Sequence, residues 1–312
     1  MTSRVLLRAV AALALASAAL AAPAQAVRTG PCNAEAGAPR CLFWHGKVTF
    51  VADGDTIDVR IAGVGVRRIR MTGINAMELT HYSHTRSQRR GKCHGVAAAN
   101  RLEDVLREGH NRVRLAAQRA SSHSGHRIRR QVSVRIGGHW VDTGAVLMSE
   151  GYALFLSNPV EWAWNRHYAQ LAREAAARGV RIWNPRGCGA GSARQADLGM
   201  QLNYDAPGSD FDNVNGEWAR IFNNSGFPVT LRHWTFRDSS ARTYHFPHHA
   251  KVPANGSILL RMGHGRDGGG TYYWGLHAPP FQNPDNHPRR GVGDGGYLFD
   301  PRGNLRAWVM YP

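Results

Sequence analysis

Val51-Ala52-Asp53-Gly54-Asp55-Thr56-Ile57-Asp58-Val59-Arg60-Ile61 places two carboxylates around one glycine, between two strand-like runs. Asp-Gly is the commonest hairpin signal, so the tetrapeptide at its centre reads as a turn joining the β-branched runs 48–51 and 56–61. In a bulged strand the same carboxylates could instead converge on a hard cation, which takes oxygen ligands. The stretch that follows strengthens the second reading. Arg67-Arg68-Ile69-Arg70-Met71-Thr72-Gly73-Ile74-Asn75-Ala76-Met77-Glu78 is a strand carrying arginines that runs into a loop with an amide, backbone carbonyls and a carboxylate.

Strand and helix patterns alternate outward from this stretch. Residues 66–71, 113–116 and 132–136 read as strands, the last by its alternation of Val132, Val134 and Ile136 with Ser133 and Arg135. Residues 96–107 repeat apolar side chains at helical spacing (Val96, Ala99, Leu102, Leu106) and stop at Gly109. Residues 146–150 predict a short helix ended by Gly151. Residues 165–178 predict a longer one, with Tyr168, Ala169, Ala172 and Ala176 near one face and Gly179 as its stop. Together they outline a mixed α+β domain at 44–190. Gly, Ser, Asp and Ala then dominate, and residues 191–211 read as a linker. Beyond it, short strands at 218–222, 229–235, 243–246, 257–262, 297–300 and 305–310 predict an all-β sandwich over 212–312.

The order Asp53-Gly54-Asp55-Thr56, then Arg70, Asn75 and Glu78, then a helix, resembles the thermonuclease (staphylococcal nuclease-like) family. The likeness spans about Lys47 to Trp183, including Ile182-Trp183 after the last helix. It implies an α+β OB-type five-stranded barrel with three helices, and calcium-dependent hydrolysis of DNA and RNA phosphodiesters, leaving 3′-phosphates. By position, Asp55 is a direct Ca2+ ligand, Asp53 a supporting acid, and Ala76 a carbonyl ligand. Arg70 clamps the scissile phosphate, and Glu78 orients or deprotonates the attacking water. Asn75 stands where the family has a second calcium carboxylate; its oxygen can ligate but carries no charge, which predicts weaker calcium binding or another metal preference. Met77 replaces a common proline, which predicts a looser loop. For the second family arginine, counting back from Val141-Asp142 selects Arg129, whereas Gly125-His126-Arg127 selects Arg127; Arg129 is ranked slightly ahead.

The formal charge of +17 is unevenly spread. Residues 44–190 hold 23 Lys+Arg against 11 Asp+Glu, residues 197–312 hold 11 against 10, so the cationic excess belongs to the first domain. All basic residues but Lys47, Lys92 and Lys251 are arginine, whose planar fork pairs with phosphate. Arg86, Arg89, Arg90 and Lys92 form a cluster before the first helix that either contacts flanking phosphates or is a solvated loop tip. His81, His84 and His94 lie nearby and read as ordinary surface or capping histidines.

The N-terminus reads as an address. Arg4 and Arg8 precede an apolar stretch, residues 9–22, followed by Pro23 and the small-x-small triplet Ala24-Gln25-Ala26, predicting a signal peptide over 1–26 and a secreted or extracytoplasmic chain. No apolar run reaches 18 residues, which excludes an ordinary transmembrane helix. Cys32, Cys41, Cys93 and Cys188 fit an oxidising compartment. Three pairings are possible; Cys32 and Cys41, close together in the extension 27–43, are natural partners, leaving Cys93 and Cys188 to close a long loop. No CxxC or matched His pair supports zinc.

Asn215-Gly216-Glu217-Trp218-Ala219-Arg220-Ile221 opens a series continuing through Trp234, Tyr244-His245-Phe246-Pro247, Tyr273-Trp274 and Gly295-Gly296-Tyr297 to Gly303. It is similar to the lamin-tail domain, an immunoglobulin-like sandwich, which implies tethering or binding, to a cell-envelope or polymer ligand, rather than catalysis. His245, His248 and His249 read as a polar turn. The whole predicts an exported nuclease with an appended binding domain; the alternative is a non-catalytic polyanion-binding envelope protein with a decayed metal site.

Overall fold

The computed structural model describes residues 28–79, 91–284 and 292–312. Its first half is built from β1 (Arg28–Pro31), β2 (Arg40–Asp53), β3 (Thr56–Ile61), β4 (Gly65–Met71), β5 (Ile74–Ala76), α1 (Gly95–Glu108), β6 (Arg112–Ala117), β7 (His123–Ser124), β8 (Arg127–Ile136), β9 (His139–Asp142), α2 (Thr143–Ser149), β10 (Ala153–Phe155) and α3 (Asn165–Ala177). β2 pairs antiparallel with β3, and β3 with β4. β4 runs parallel to β8, which pairs antiparallel with β6, and β6 returns to β2. The five strands therefore close on themselves, which leaves no free edge within the ring. Period-two burial explains the closure: Ile57, Val59, Ile69, Met71, Val113, Leu115, Val132 and Val134 turn inward and are almost wholly buried.

α1 covers the ring with Ala98, Ala99, Leu102, Val105 and Leu106. Val96, expected on that face, is 44% exposed, and Val105 takes its place. Gly109 caps the helix, and a Cβ there would stand 2.6 Å from the Val134 side chain, so only glycine fits. α2 starts at Asp142, whose carboxylate accepts the Ala145 N–H at 3.1 Å. The same carboxylate accepts the Tyr168 hydroxyl at 2.8 Å, tying α3 to α2. Disulfides join Cys32 to Cys41 and Cys93 to Cys188.

The segment expected as a linker, 191–211, is more structured than its composition suggests. It holds a one-turn α4 (Ser192–Gln195) and β11 (Leu198–Asn203), which pairs along its full length with β12 (Trp218–Asn223). β13 (Val229–Thr230), β14 (Thr235–Asp238), β15 (Thr243–His245), β16 (Lys251–Val252), β17 (Gly256–Arg261), β18 (Thr271–Tyr273), β19 (Gly295–Phe299) and β20 (Leu305–Met310) complete the second half. Two four-stranded sheets, β11-β12-β17-β18 and β15-β14-β19-β20, face each other over Ile221, Leu260, Phe236 and Leu298. The chain is mostly β, with four helices among the described residues.

The halves share a core. Trp183, fully buried after α3, meets Trp308 edge-on at 5.4 Å and Tyr297 at 6.3 Å between ring centroids. Tyr297, Phe299 and Leu305 of the sandwich belong to the hydrophobic cluster of the first half. Arg306 donates to the carbonyls of Pro185 and Cys188 while Asp300 neutralises it at 2.6 Å. Such a buried ion pair is retained only where further hydrogen bonds satisfy both partners, as here.

Candidate active site

The Asp53–Thr56 turn joins β2 to β3, with register shifts at Val48/Phe50 and Val51/Asp53, so hairpin and bulge are both realised. Gly54 is wedged against β5 and α1: a Cβ on it would lie 2.7 Å from the Cβ atoms of both Ala76 and Ala98. This close approach fixes Asp55, which is only 4% exposed. Its Oδ2 accepts the Ala76 N–H at 2.8 Å and its Oδ1 the Thr56 hydroxyl at 3.0 Å. Asp53 Oδ1 accepts the Asp55 N–H at 2.9 Å. Burial pushes the Asp53 carboxyl above its ordinary value, and the charges of Arg70 and Arg127 oppose that push.

Arg70 sits opposite Thr56 in the β3–β4 register. Its Nη1 forms an ion pair with Asp55 Oδ1, and its Nη2 donates to the Ile74 carbonyl at 3.1 Å. Burial, then the neighbouring Arg127 charge, pulls the guanidinium down to about 10, while Asp53 and Glu78 oppose this. Arg127, from the start of β8, donates to the Thr56 hydroxyl at 3.1 Å and so touches the carboxylate turn directly. Arg129 shares its face of β8, but the carboxylate that chiefly supports its charge is Glu161. Both arginines therefore stand beside Arg70, Arg127 at the turn and Arg129 opposite Arg70 in the β4–β8 register. Arg130 points the other way, over the Trp44 ring at 4.3 Å, and donates to the carbonyls of Ala120 at 2.8 Å and Ser122 at 3.2 Å.

Glu78 is exposed at the rim, while Met77 and Leu79 on either side are 6% exposed and anchored in the core. Lys92 donates its N–H to the Glu78 carbonyl at 2.8 Å, which brings the end of the basic cluster to the site. Arg86, Arg89 and Arg90, with His81 and His84, lie outside the described residues. Asn75 gives its Oδ1 to Arg237 Nη1 of the sandwich at 2.7 Å. The carboxylate oxygens of Asp53, Asp55 and Glu78 do not all lie within 4.8 Å of one another. The one close His/Cys/Asp/Glu group among the described residues is Cys93, His94 and Cys188, and both its cysteines are spent in the disulfide.

One cationic surface has no counterpart in the motif reading. Arg28, Lys47, Arg60, Arg112, Arg114 and Arg135 line an open groove of about 770 Å3 with Phe43 and Trp140, and no Asp or Glu lines it. Arg114 is held between the two aromatic rings, 4.8 and 4.4 Å from their centroids. The cations are spread over β1, β2, β3, β6 and β8, with only Arg112 and Arg114 sharing a strand; pairing gathers them, as Lys47 faces both Arg60 and Arg112. Arg135 lies eight residues along β8 from Arg127, about 26 Å at ~3.3 Å per residue.

With two sheets packed face to face, the second half is an immunoglobulin-like sandwich. More particularly, residues 201–312 match the family model of the Lamin Tail Domain, and this region is a lamin-tail domain. No thermonuclease match is found for the first half. A search of curated proteins returns no match to the chain.

Proposed function

We propose that the first half is an OB-type, thermonuclease-like barrel that hydrolyses nucleic-acid phosphodiesters, and that the chain works outside the cytoplasm. The observation that carries this reading is the convergence of Asp53, Asp55, Arg70 and Arg127 on one buried turn, with the Glu78 carboxylate exposed beside it. A closed ring in which the third strand runs parallel to the fifth suits an OB-type barrel. The basic groove supplies the polyanion-facing surface that a nucleic-acid enzyme needs. Two disulfides suit an oxidising compartment.

In this mechanism Arg70 and Arg127 hold the equatorial oxygens of the phosphate, where negative charge builds during in-line attack. Glu78, exposed to solvent, takes a proton from the attacking water. Asp55, pinned by the Ala76 N–H, Thr56 and Arg70, keeps Arg70 in register. The donor chemistry around the turn fits calcium in part. Asp53, Asp55 and the Ala76 carbonyl are hard oxygen donors that would hold the ion, Asp55 sharing its oxygens with Arg70, Thr56 and the Ala76 N–H, whereas the Asn75 oxygen is already committed to Arg237. When bound, such an ion would polarise the phosphate and acidify the attacking water.

The test is incubation of the purified chain with DNA and with RNA, in calcium and in chelator. Metal-dependent cleavage that collapses in Glu78→Gln and Arg70→Ala supports the reading. A second reading, a polyanion binder without catalysis, is favoured by the commitment of Asn75 and the spread of the three carboxylates. It stands if tight binding occurs with no cleavage under any divalent ion.

A further inference from the structure

Asn75 and Glu78 from the barrel, Thr235, Arg237 and Thr243 from the sandwich, and Lys92 from the segment before α1 line a cleft of about 360 Å3 between the halves. Arg237 lies on β14 between Phe236 and Asp238, both wholly buried in the sandwich, and its own side chain crosses to the barrel. Its Nη1 is held by Asn75 across 162 residues of sequence, whereas its Nε and Nη2 are buried without a hydrogen-bond partner. The rings of Tyr297 and Phe299 back it, 5.9 and 5.4 Å from the guanidinium carbon to their centroids. Neighbouring Asp238 is engaged by Arg242 at 3.3 Å. Among the described residues no carboxylate comes within ion-pair reach of Arg237. A guanidinium held out of water without an ionic partner is costly, and an anion entering the cleft offsets that cost. Ala76, whose N–H donates to Asp55 Oδ2 at 2.8 Å, lines the cleft beside Glu78, so this cleft adjoins the carboxylate turn.

We propose that the interdomain cleft is a phosphate subsite in which Arg237 and Lys92 take the phosphate that neighbours the one held by Arg70. The assignment of that phosphate to a nucleic-acid strand rests on the nuclease reading. The lamin-tail sandwich is then a working wall of the binding surface, and Asn75 is the residue that aims its arginine. A bidentate donor at this point also fixes which way the strand runs across the turn.

The experiment measures anisotropy of a fluorescently labelled single-stranded deoxyoligonucleotide with the full chain in chelator, where binding is read without cutting. Arg237→Gln removes the charge and the guanidinium fork while keeping a shorter, polar amide side chain. Its affinity is expected to fall about tenfold, and the slope of log K against log salt to shrink by ~0.7. Asn75→Ala, which frees the arginine, is expected to cost a few-fold with the slope unchanged. Thermal unfolding of each variant separates binding from folding, and Arg237→Lys, retaining charge, is expected to restore the slope. Unchanged affinity and slope in folded Arg237→Gln, or no binding by the wild-type chain, overturns the subsite. Unchanged binding with metal-dependent cleavage intact sinks this inference and spares the nuclease reading; Arg237-dependent binding without cleavage in any divalent ion does the reverse.

Discussion

The barrel and the sandwich handle charge in opposite ways. The barrel carries twice as many cations as acids, and six of its cations line a groove without one carboxylate. The sandwich is near neutrality and turns its acids inward: Glu217 and Asp238 are wholly buried, Asp294 and Asp300 nearly so. Asp300 organises a turn, accepting from Asn304 and Arg306, while burial pushes Glu217 up to about 8 and Asp294 to about 7. One half therefore leaves cations lining a surface free of acids, the other holds charge that serves its own fold. Arg237 breaks this division, because it belongs to the sandwich and faces the barrel.

The comparison is most severely tested at the shared core. Trp183→Ala is expected to cost about 4 kcal/mol, the range for deleting a buried large aromatic, and to lower the melting of both halves. Two separate calorimetric transitions, with the sandwich unmoved, would show that the halves fold independently. Next come the site residues. Arg70→Ala and Glu78→Gln are each expected to lower kcat by roughly a hundredfold or more, about 3 kcal/mol. Arg127→Ala is expected to exceed Arg129→Ala, and the reverse order would return the role to Arg129.

The sandwich should show the pH dependence that the barrel's arginines do not. Glu217 binds its proton more tightly folded than unfolded, so the folded state carries the extra proton between about 4.5 and about 8. Stability is then full at the acid end of that window and falls as pH rises through it, by ~2 kcal/mol after allowance for relaxation. Glu217→Gln is expected to flatten the melting curve against pH, and a slope that survives would move the proton to Asp294. The smallest effect belongs to the groove. Arg112→Ala with Arg114→Ala is expected to weaken oligonucleotide binding by ~1 kcal/mol and to reduce its salt slope, with kcat at saturation unchanged.

Much of this was legible in residue order. The β3 and β8 alternations, the glycine stops and the carboxylate turn all fell where local chemistry put them, because hairpins and helix ends are decided within a few residues. β11 was missed although Leu198, Met200 and Leu202 alternate with Gly199, Gln201 and Asn203; the surrounding glycine and serine disguised a period-two pattern. The Asn75–Arg237 contact and the groove could not be read, since both depend on register between strands far apart in sequence. Counting ranks Arg129 slightly ahead of Arg127; both lie on one face of β8, Arg127 touching the turn and Arg129 opposite Arg70, and that register is invisible in the sequence.

Gly54 has a consequence of a mechanical kind. The turn bearing Asp53 and Asp55 is seated against two alanine methyls with no room for a third. The missing Cβ thus acts as a spacer gauge, letting the turn seat against Ala76 and Ala98 and so setting how far the acids stand from Arg70. Gly54→Ala is expected to shift the acids while leaving every ionisable group chemically unchanged. It is a dial on geometry alone, in a setting where displacement of about 1 Å can cost a hundredfold in rate.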